Sequence, residues 1–268
     1  MASPVPSATA SARPIAVVTG ASSGIGEVFA RRLAPDYDLI LVARRRDRLE
    51  TLAVALAAAT GSRVEVLVAD LGNAADLARV ADRVAAEPNL ALLVNNAGFG
   101  VGDLYWTTSL DAVEQMHRVH IMATLRLCHA ALGNLVPKNR GGIINVASVA
   151  AFVRGVGSGG YGATKSWMTA FTEGLHIDLR SVRSAVTVQA LCPGFTYSEF
   201  HDTMGVSRFR RAPRSFWLSA EHVVADSLEG LRRRRLYVVP GWRYRCLVAF
   251  LTKLPIRVRV ALEALRPR

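Results

Sequence analysis

A chain of 268 residues is long enough for one large α/β domain, which buries roughly 70 to 75% of the surface its unfolded chain would expose. The three cysteines, Cys128, Cys192 and Cys246, stand far apart without metal-ligand spacing, which argues against a disulfide framework and a metal site and points to a reducing, cytoplasmic setting. The formal charge of +12 is uneven: residues 1 to 207 hold 18 basic and 17 acidic side chains, residues 208 to 268 hold 15 and 4, so the body is an ordinary neutral domain and the basicity belongs to the last quarter.

Residues 1 to 13, rich in Ala, Ser and Pro, lack the apolar stretch of a secretory signal and read as a disordered arm. From there, apolar runs at 14 to 19, 38 to 43, 63 to 69, 91 to 95, 141 to 147, 185 to 191 and 236 to 239 read as strands covered on both faces. Helical patterns lie between them, near 24 to 34, 46 to 60, 74 to 87, 111 to 136, 161 to 183 and 219 to 233. Strands alternating with helices predict a doubly wound α/β fold, a parallel sheet of about seven strands with helices on both faces. Ligands of such sheets sit at the carboxyl ends of the strands, where the winding reverses. The organisation expected is a single domain over 14 to 240, including a lid at 195 to 218, with a basic, apolar extension at 241 to 268. No run approaches the ~18 apolar residues of a membrane span.

The first strand runs into Thr19-Gly20-Ala21-Ser22-Ser23-Gly24-Ile25-Gly26 and then a helix. Glycines there permit a tight turn, close backbone approach to a pyrophosphate and close helix–strand packing, with the helix start offering free N–H groups. The spacing resembles the T-G-x-x-x-G-x-G pattern of the short-chain dehydrogenases/reductases. The resemblance continues through Asp70-Leu71, Asn95-Asn96-Ala97-Gly98, Ser148, Tyr161-x-x-x-Lys165 and Pro193-Gly194, each at a strand end and in order. It covers roughly residues 14 to 240 and implies a Rossmann-type fold, a nicotinamide cofactor and hydride transfer to or from a carbonyl or alcohol carbon. It further implies that Gly20, Ser22, Ser23, Gly24, Ile25 and Gly26 hold the pyrophosphate. Asp70 would bond the adenine, Asn95, Asn96, Ala97 and Gly98 would line the adenosine side, and Pro193 and Gly194 would flank the nicotinamide.

Charge selects the cofactor independently. The second strand ends Val42-Ala43-Arg44-Arg45-Arg46, and the acids Asp36 and Asp38 lie at its other end, roughly 15 to 20 Å away at ~3.3 Å per residue. A cation there suits the 2′-phosphate of NADP, whereas NAD calls for an acid on the ribose. NADP(H) is therefore expected, with Arg44 first for the phosphate contact and Arg45 next.

Tyr161 and Lys165 lie one helical turn apart, so both project from one face. A lysine ammonium and an oxidised nicotinamide would pull the phenol below its ordinary pKa of ~10, toward the working range of an acid–base catalyst. Ser148 would hydrogen-bond the substrate oxygen as charge builds on it. By resemblance Lys165 also holds the ribose hydroxyls. One position departs from the family: where most relatives carry an asparagine that disturbs the helix and holds a relay water, this chain reads Val119-His120-Ile121. Either His120 serves the relay through its ring N–H, or it is packing.

After Pro193-Gly194 the lid carries Phe195, Tyr197, Phe200, Phe209, Phe216 and Trp217, and Gly155 to Gly160 remove bulk beside Tyr161. Both features suit a lipophilic substrate. The tail mixes apolar residues with Arg243, Arg245, Lys253, Arg257, Arg259, Arg266 and Arg268. It reads as a peripheral membrane-surface helix with one apolar face or as a contact in a homo-oligomer. No nucleic-acid-reading motif is present, and no nucleic acid is expected as a partner. The reading is an NADP-dependent oxidoreductase of a lipophilic carbonyl compound; the alternatives are a non-catalytic NADP-binding sensor or scaffold, and an isomerase or dehydratase on the same fold.

Overall fold

The computed structural model describes residues 13–101, 104–199 and 213–264. The expected arm, apart from Arg13, and lid residues 200 to 212 with Phe200 and Phe209 lie outside the described residues.

Seven strands, β1 (Ile15–Thr19), β2 (Asp38–Ala43), β3 (Val64–Val68), β4 (Leu90–Asn95), β5 (Gly142–Val146), β6 (Thr187–Leu191) and β7 (Tyr237–Val238), form one sheet in the order β3-β2-β1-β4-β5-β6-β7. All neighbouring pairs are parallel. The near-continuous apolar runs follow from burial on both faces. In β1, Ala16 and Val18 pack with Phe29, Leu33 and Val223 on one side, while Val17 packs with Leu93 and Leu127 on the other. Helices α1 (Gly24–Leu33), α2 (Arg46–Thr60), α3 (Ala74–Ala85), α4 (Leu110–His117), α5 (Ala123–Leu135), α6 (Gly159–Ser181) and α7 (Ala220–Arg232) cover the two faces. Local signals set their ends. Asn73 accepts the N–H groups of Ala75 and Asp76 to start α3, Ser109 and Ser219 do the same for α4 and α7, and Gly61 ends α2 at a left-handed φ of 69°.

The chain winds outward from β1 to β3 and then returns to place β4 against β1, so the crevice between their carboxyl ends is where this topology receives a ligand. The single helix expected over 111 to 136 is interrupted: a π-helical turn, Arg118–Met122, separates α4 from α5, and the Ala123 N–H reaches back to the Arg118 carbonyl. A single turn of this kind adds one residue, which shifts the phase of the apolar pattern once by about 100° without breaking the run.

The segment expected as an extension forms α8 (Trp242–Lys253) and α9 (Ile256–Ala264). Tyr244 is buried; its hydroxyl accepts the Phe195 N–H at 2.9 Å and donates to the Phe216 carbonyl at 2.7 Å, joining the described parts of segment 195 to 218. Gly194 is what lets the ring in, since a Cβ there would lie 2.0 Å from it. Glu263 is buried and accepts the Arg154 N–H at 3.0 Å, tying α9 to the loop before Tyr161. In α9, Ile256, Val258, Val260 and Leu262 are exposed and alternate with Arg257 and Arg259. At about 100° per residue, alternation spreads both kinds around the helix, so α9 does not present the single apolar face that a membrane-surface helix calls for. No helix among the described residues is long and apolar enough to cross a membrane.

Replacing Tyr244 by Phe keeps the packing and removes both hydrogen bonds, so the chain should lose about 1 to 3 kcal/mol of stability, read from urea denaturation. An unshifted midpoint would show that the two bonds contribute nothing to the fold.

Candidate active site

The crevice is braced before it is functional. The Thr19 hydroxyl donates to the Val94 carbonyl at 3.2 Å and accepts the N–H groups of Asn96 (2.9 Å) and Ala97 (3.0 Å). The Asn96 amide donates back to the Thr19 carbonyl at 2.9 Å and the Gly20 carbonyl at 3.3 Å. Glycine is required where the loops meet: Gly20 has a φ of 67°, and a Cβ on Gly26 would lie 2.2 Å from the Gly20 oxygen. Ser23 occupies the N-cap of α1 yet makes no side-chain cap, in contrast to Asn73, Ser109 and Ser219. The opening N–H groups of α1 are thus left for an anion, as a pyrophosphate site requires. Asp70 turns one carboxylate oxygen on the Gly72 N–H at 2.9 Å. Asn95 is different from its neighbours: its amide donates to Cys128 Sγ and Asn145 Oδ1 and is buried under the sheet end. That corrects its expected place on the adenosine side.

At the end of β2 the arginines divide. Arg44 is exposed and has no hydrogen bond or ion pair among the described residues. The Arg45 guanidinium lies on the glycine loop, donating to the Ser22 hydroxyl (3.1 and 3.0 Å) and the Ser23 hydroxyl (2.8 Å). Its remaining nitrogen pairs with Glu199 at 2.8 Å, and Arg48 pairs with the same carboxylate. Glu199 carries no sequence signal, because it stands 154 residues from its partner.

Ser148, Tyr161 and Lys165 converge at the ends of β5 and β6. Ser148 caps the short turn after β5, accepting the Ala150 N–H at 3.1 Å and donating to the Pro193 carbonyl at 3.4 Å. Lys165 donates to the Val146 carbonyl at 2.9 Å, with its ammonium 5.7 Å from the centre of the Tyr161 ring. Burial dominates both groups. It pushes the Tyr161 phenol up to about 12, although the nearby Ser148 hydroxyl draws it down, and pushes Lys165 down to about 7. The protein alone therefore keeps Tyr161 protonated at neutral pH, the opposite direction from the one expected with a charged lysine and an oxidised cofactor beside it.

His120 is fully buried in the π-helical turn, edge-on to Tyr161 with ring centres 5.8 Å apart. A backbone N–H can only donate, so the Phe99 N–H at 3.2 Å makes Nε2 an acceptor and places the proton on Nδ1. Nδ1–H then donates to the Thr164 hydroxyl at 2.9 Å, which donates to the Tyr161 carbonyl at 2.8 Å. Burial, followed by the charges of Lys165 and His117, holds the imidazole well below its ordinary pKa. Both ring nitrogens are engaged by protein groups, so the ring N–H is not the one that would hold a relay water. The helix distortion remains without the asparagine. Gly98 is the contact that admits the ring, since a Cβ there would lie 2.6 Å from Nε2.

A sequence profile described as short chain dehydrogenase matches residues 14–206. The 1-deoxy-11-beta-hydroxypentalenate dehydrogenase of Streptomyces exfoliatus is 32% identical over 228 residues, 83% of this chain and 81% of its own length. Among solved structures, a short-chain dehydrogenase from Sphingobium yanoikuyae in complex with NADPH superposes with a TM-score of 0.81 at 32% identity, covering 91% of this chain and 97% of the other. A Burkholderia phymatum short chain dehydrogenase/reductase in complex with NAD gives 0.81 at 26% identity, covering 96% and 97%. With the glycine loop, the braced crevice and the serine, tyrosine and lysine in one place, the chain belongs to the short-chain dehydrogenase/reductase family of oxidoreductases.

Proposed function

We propose that the chain is an NADP-dependent reductase of a lipophilic ketone or acyl-type carbonyl, with Ser148, Tyr161 and Lys165 as its catalytic residues. The observation that carries the cofactor assignment is the Arg45 guanidinium seated on the Ser22 and Ser23 hydroxyls, beside Arg44, where β2 itself supplies no carboxylate. Solved relatives bind NADPH in one case and NAD in another, so charge at this point is what separates the two. Gly20, Ser22, Ser23, Gly24, Ile25 and Gly26 would take the pyrophosphate, Asp70 with Asn96, Ala97 and Gly98 the adenosine, and Pro193 and Gly194 the nicotinamide. When bound, the cofactor supplies the hydride.

The residues do the rest. The Ser148 and Tyr161 hydroxyls offer two donors to one carbonyl oxygen and stabilise the negative charge that grows there. Tyr161, protonated through the neutral range, delivers its proton to that oxygen. Lys165 sits behind the ring and favours the phenolate that remains. Phe195, Tyr197 and Trp217 form an aromatic cluster with ring centres 5.1 to 5.4 Å apart at the described base of the lid. A Cβ on Gly155 or Gly159 would meet nothing within 4 Å. An aromatic cluster beside the site suits a lipophilic carbonyl, and the pentalenate dehydrogenase relative is consistent with that class.

Tyr161→Phe should lower turnover by about 10² to 10⁴-fold while the NADPH dissociation constant barely moves; near-normal turnover would remove Tyr161 from the chemistry. Because reduction needs the protonated phenol and oxidation the phenolate, and burial raises this phenol, reduction should hold level through neutral pH and fall only in strong alkali, with oxidation rising as pH increases. A reductase profile collapsing between pH 6 and 8 would contradict the assignment of the proton to Tyr161.

Arg45→Ala should weaken NADPH by roughly 1.5 to 3 kcal/mol and NADH far less, measured by fluorescence titration. If Arg44→Ala alone separates the two cofactors, the contact belongs to Arg44; if neither does, the preference for NADP is wrong.

A further inference from the structure

The first described stretch after Pro193-Gly194 does not run into solvent. Thr196 pairs with Leu218, and the Tyr197 N–H donates to the Leu218 carbonyl at 2.9 Å, so the segment is held along the domain edge. It then passes directly over the glycine loop: a Cβ on Gly24 would lie 2.9 Å from Ser198 Cβ. The next residue, Glu199, reaches the arginine cluster at the end of β2. One carboxylate oxygen takes Arg45 at 2.8 Å and the other takes Arg48. Arg45 holds the Ser22 and Ser23 hydroxyls with Nε and Nη2, and its remaining nitrogen, Nη1, donates to Glu199. The two arginines hold this carboxyl down at about 2, and it is an anion at every working pH. An anion on Arg45 at the ribose end of the glycine loop occupies the place in the hydrogen-bond network that a 2′-phosphate would need.

Resting on the assignment of Arg45 to that phosphate, we propose that Glu199 is a built-in counter-ion of the 2′-phosphate site: it competes with the phosphate of NADPH for Arg45 and sets how strongly the chain prefers NADPH to NADH. NADPH must displace or share the arginine that Glu199 holds. NADH need not, and its ribose 2′-hydroxyl finds in Glu199 the carboxylate acceptor that β2 does not provide. Glu199 is therefore a specificity-determining residue contributed by the segment after Pro193-Gly194 rather than by the strand, and phosphate binding is linked to release of Glu199 from Arg45. The pair is partly solvent-exposed, with side-chain exposures of 40% for Arg45 and 42% for Glu199, so the competition is moderate and screened by salt.

The test uses the full chain and needs no substrate. Dissociation constants for NADPH, NADH and 2′,5′-ADP, a fragment that carries the 2′-phosphate, are measured for the parent, Glu199→Gln, Glu199→Ala and Arg45→Ala at low and high salt. Both Glu199 variants should bind NADPH and 2′,5′-ADP about 3- to 10-fold more tightly, with NADH unchanged or weaker, and the gain should shrink as salt rises. Equal weakening of NADPH and NADH in both variants would make Glu199 only an anchor of the loop, and an NADPH/NADH ratio within about 2-fold of the parent would remove it from cofactor choice. Arg45→Ala separates the two failures. If it collapses the ratio while the Glu199 variants do not raise it, the counter-ion alone is wrong; if it leaves the ratio intact, the phosphate site lies elsewhere and both ideas fall.

Discussion

The tie between β1 and β4 is the constraint on which the site depends. The sheet reverses its winding between these strands, so two loops that are distant in sequence must meet at one crevice without side chains filling it. Thr19 and Asn96 close that junction with hydrogen bonds to backbone on both sides, which satisfies polar groups that the crevice would otherwise strand. Because the brace lies below the glycine loop, the loop above it is free to present N–H groups outward. The missing side-chain cap at Ser23 is part of the same arrangement: its hydroxyl is turned to Arg45 and away from the N–H groups of α1.

A second constraint is dryness. Lys165 and His120 are buried beside the partly exposed Tyr161, and desolvation moves each of the three toward its neutral form: the phenol up, the ammonium and the imidazole down. His120 answers this by staying neutral and using both nitrogens, one accepting from Phe99 and one donating to Thr164. In that role the ring fixes the first turn of α6, which carries Tyr161, from behind. The π-helical turn is what brings a residue of the α4–α5 rod into that position, and Gly98 is what leaves room for it.

Charge along the chain acquires a more specific meaning in three dimensions. The near-neutral body holds Arg45 inside a network of serines and one distant glutamate. The basic last quarter is not simply appended. Tyr244 and Glu263 fasten α8 and α9 to Phe195, Phe216 and the loop before Tyr161, so part of the region that reads as tail packs against the domain.

Strand and helix order, the parallel sheet and the family were legible from residue types alone, because strands buried on both faces are apolar throughout and the glycine, Asn-Ala-Gly, tyrosine–lysine and Pro-Gly motifs sit at their ends. The convergence of Ser148, Tyr161 and Lys165 followed from the same order of elements. What tertiary structure decided were matters of contact rather than pattern. Three adjacent arginines are equivalent in a sequence, and only the path of the chain puts Arg45 on the serines and leaves Arg44 exposed. Asn95 and Asn96 are likewise neighbours in sequence, but alternation at the strand end sends one amide beneath the sheet and the other to the glycine loop. The π-helical turn, the tautomer of His120 and the reach of Glu199 across 154 residues depend on which groups meet after folding, and a hydrogen bond between distant residues leaves no period in the sequence to be read.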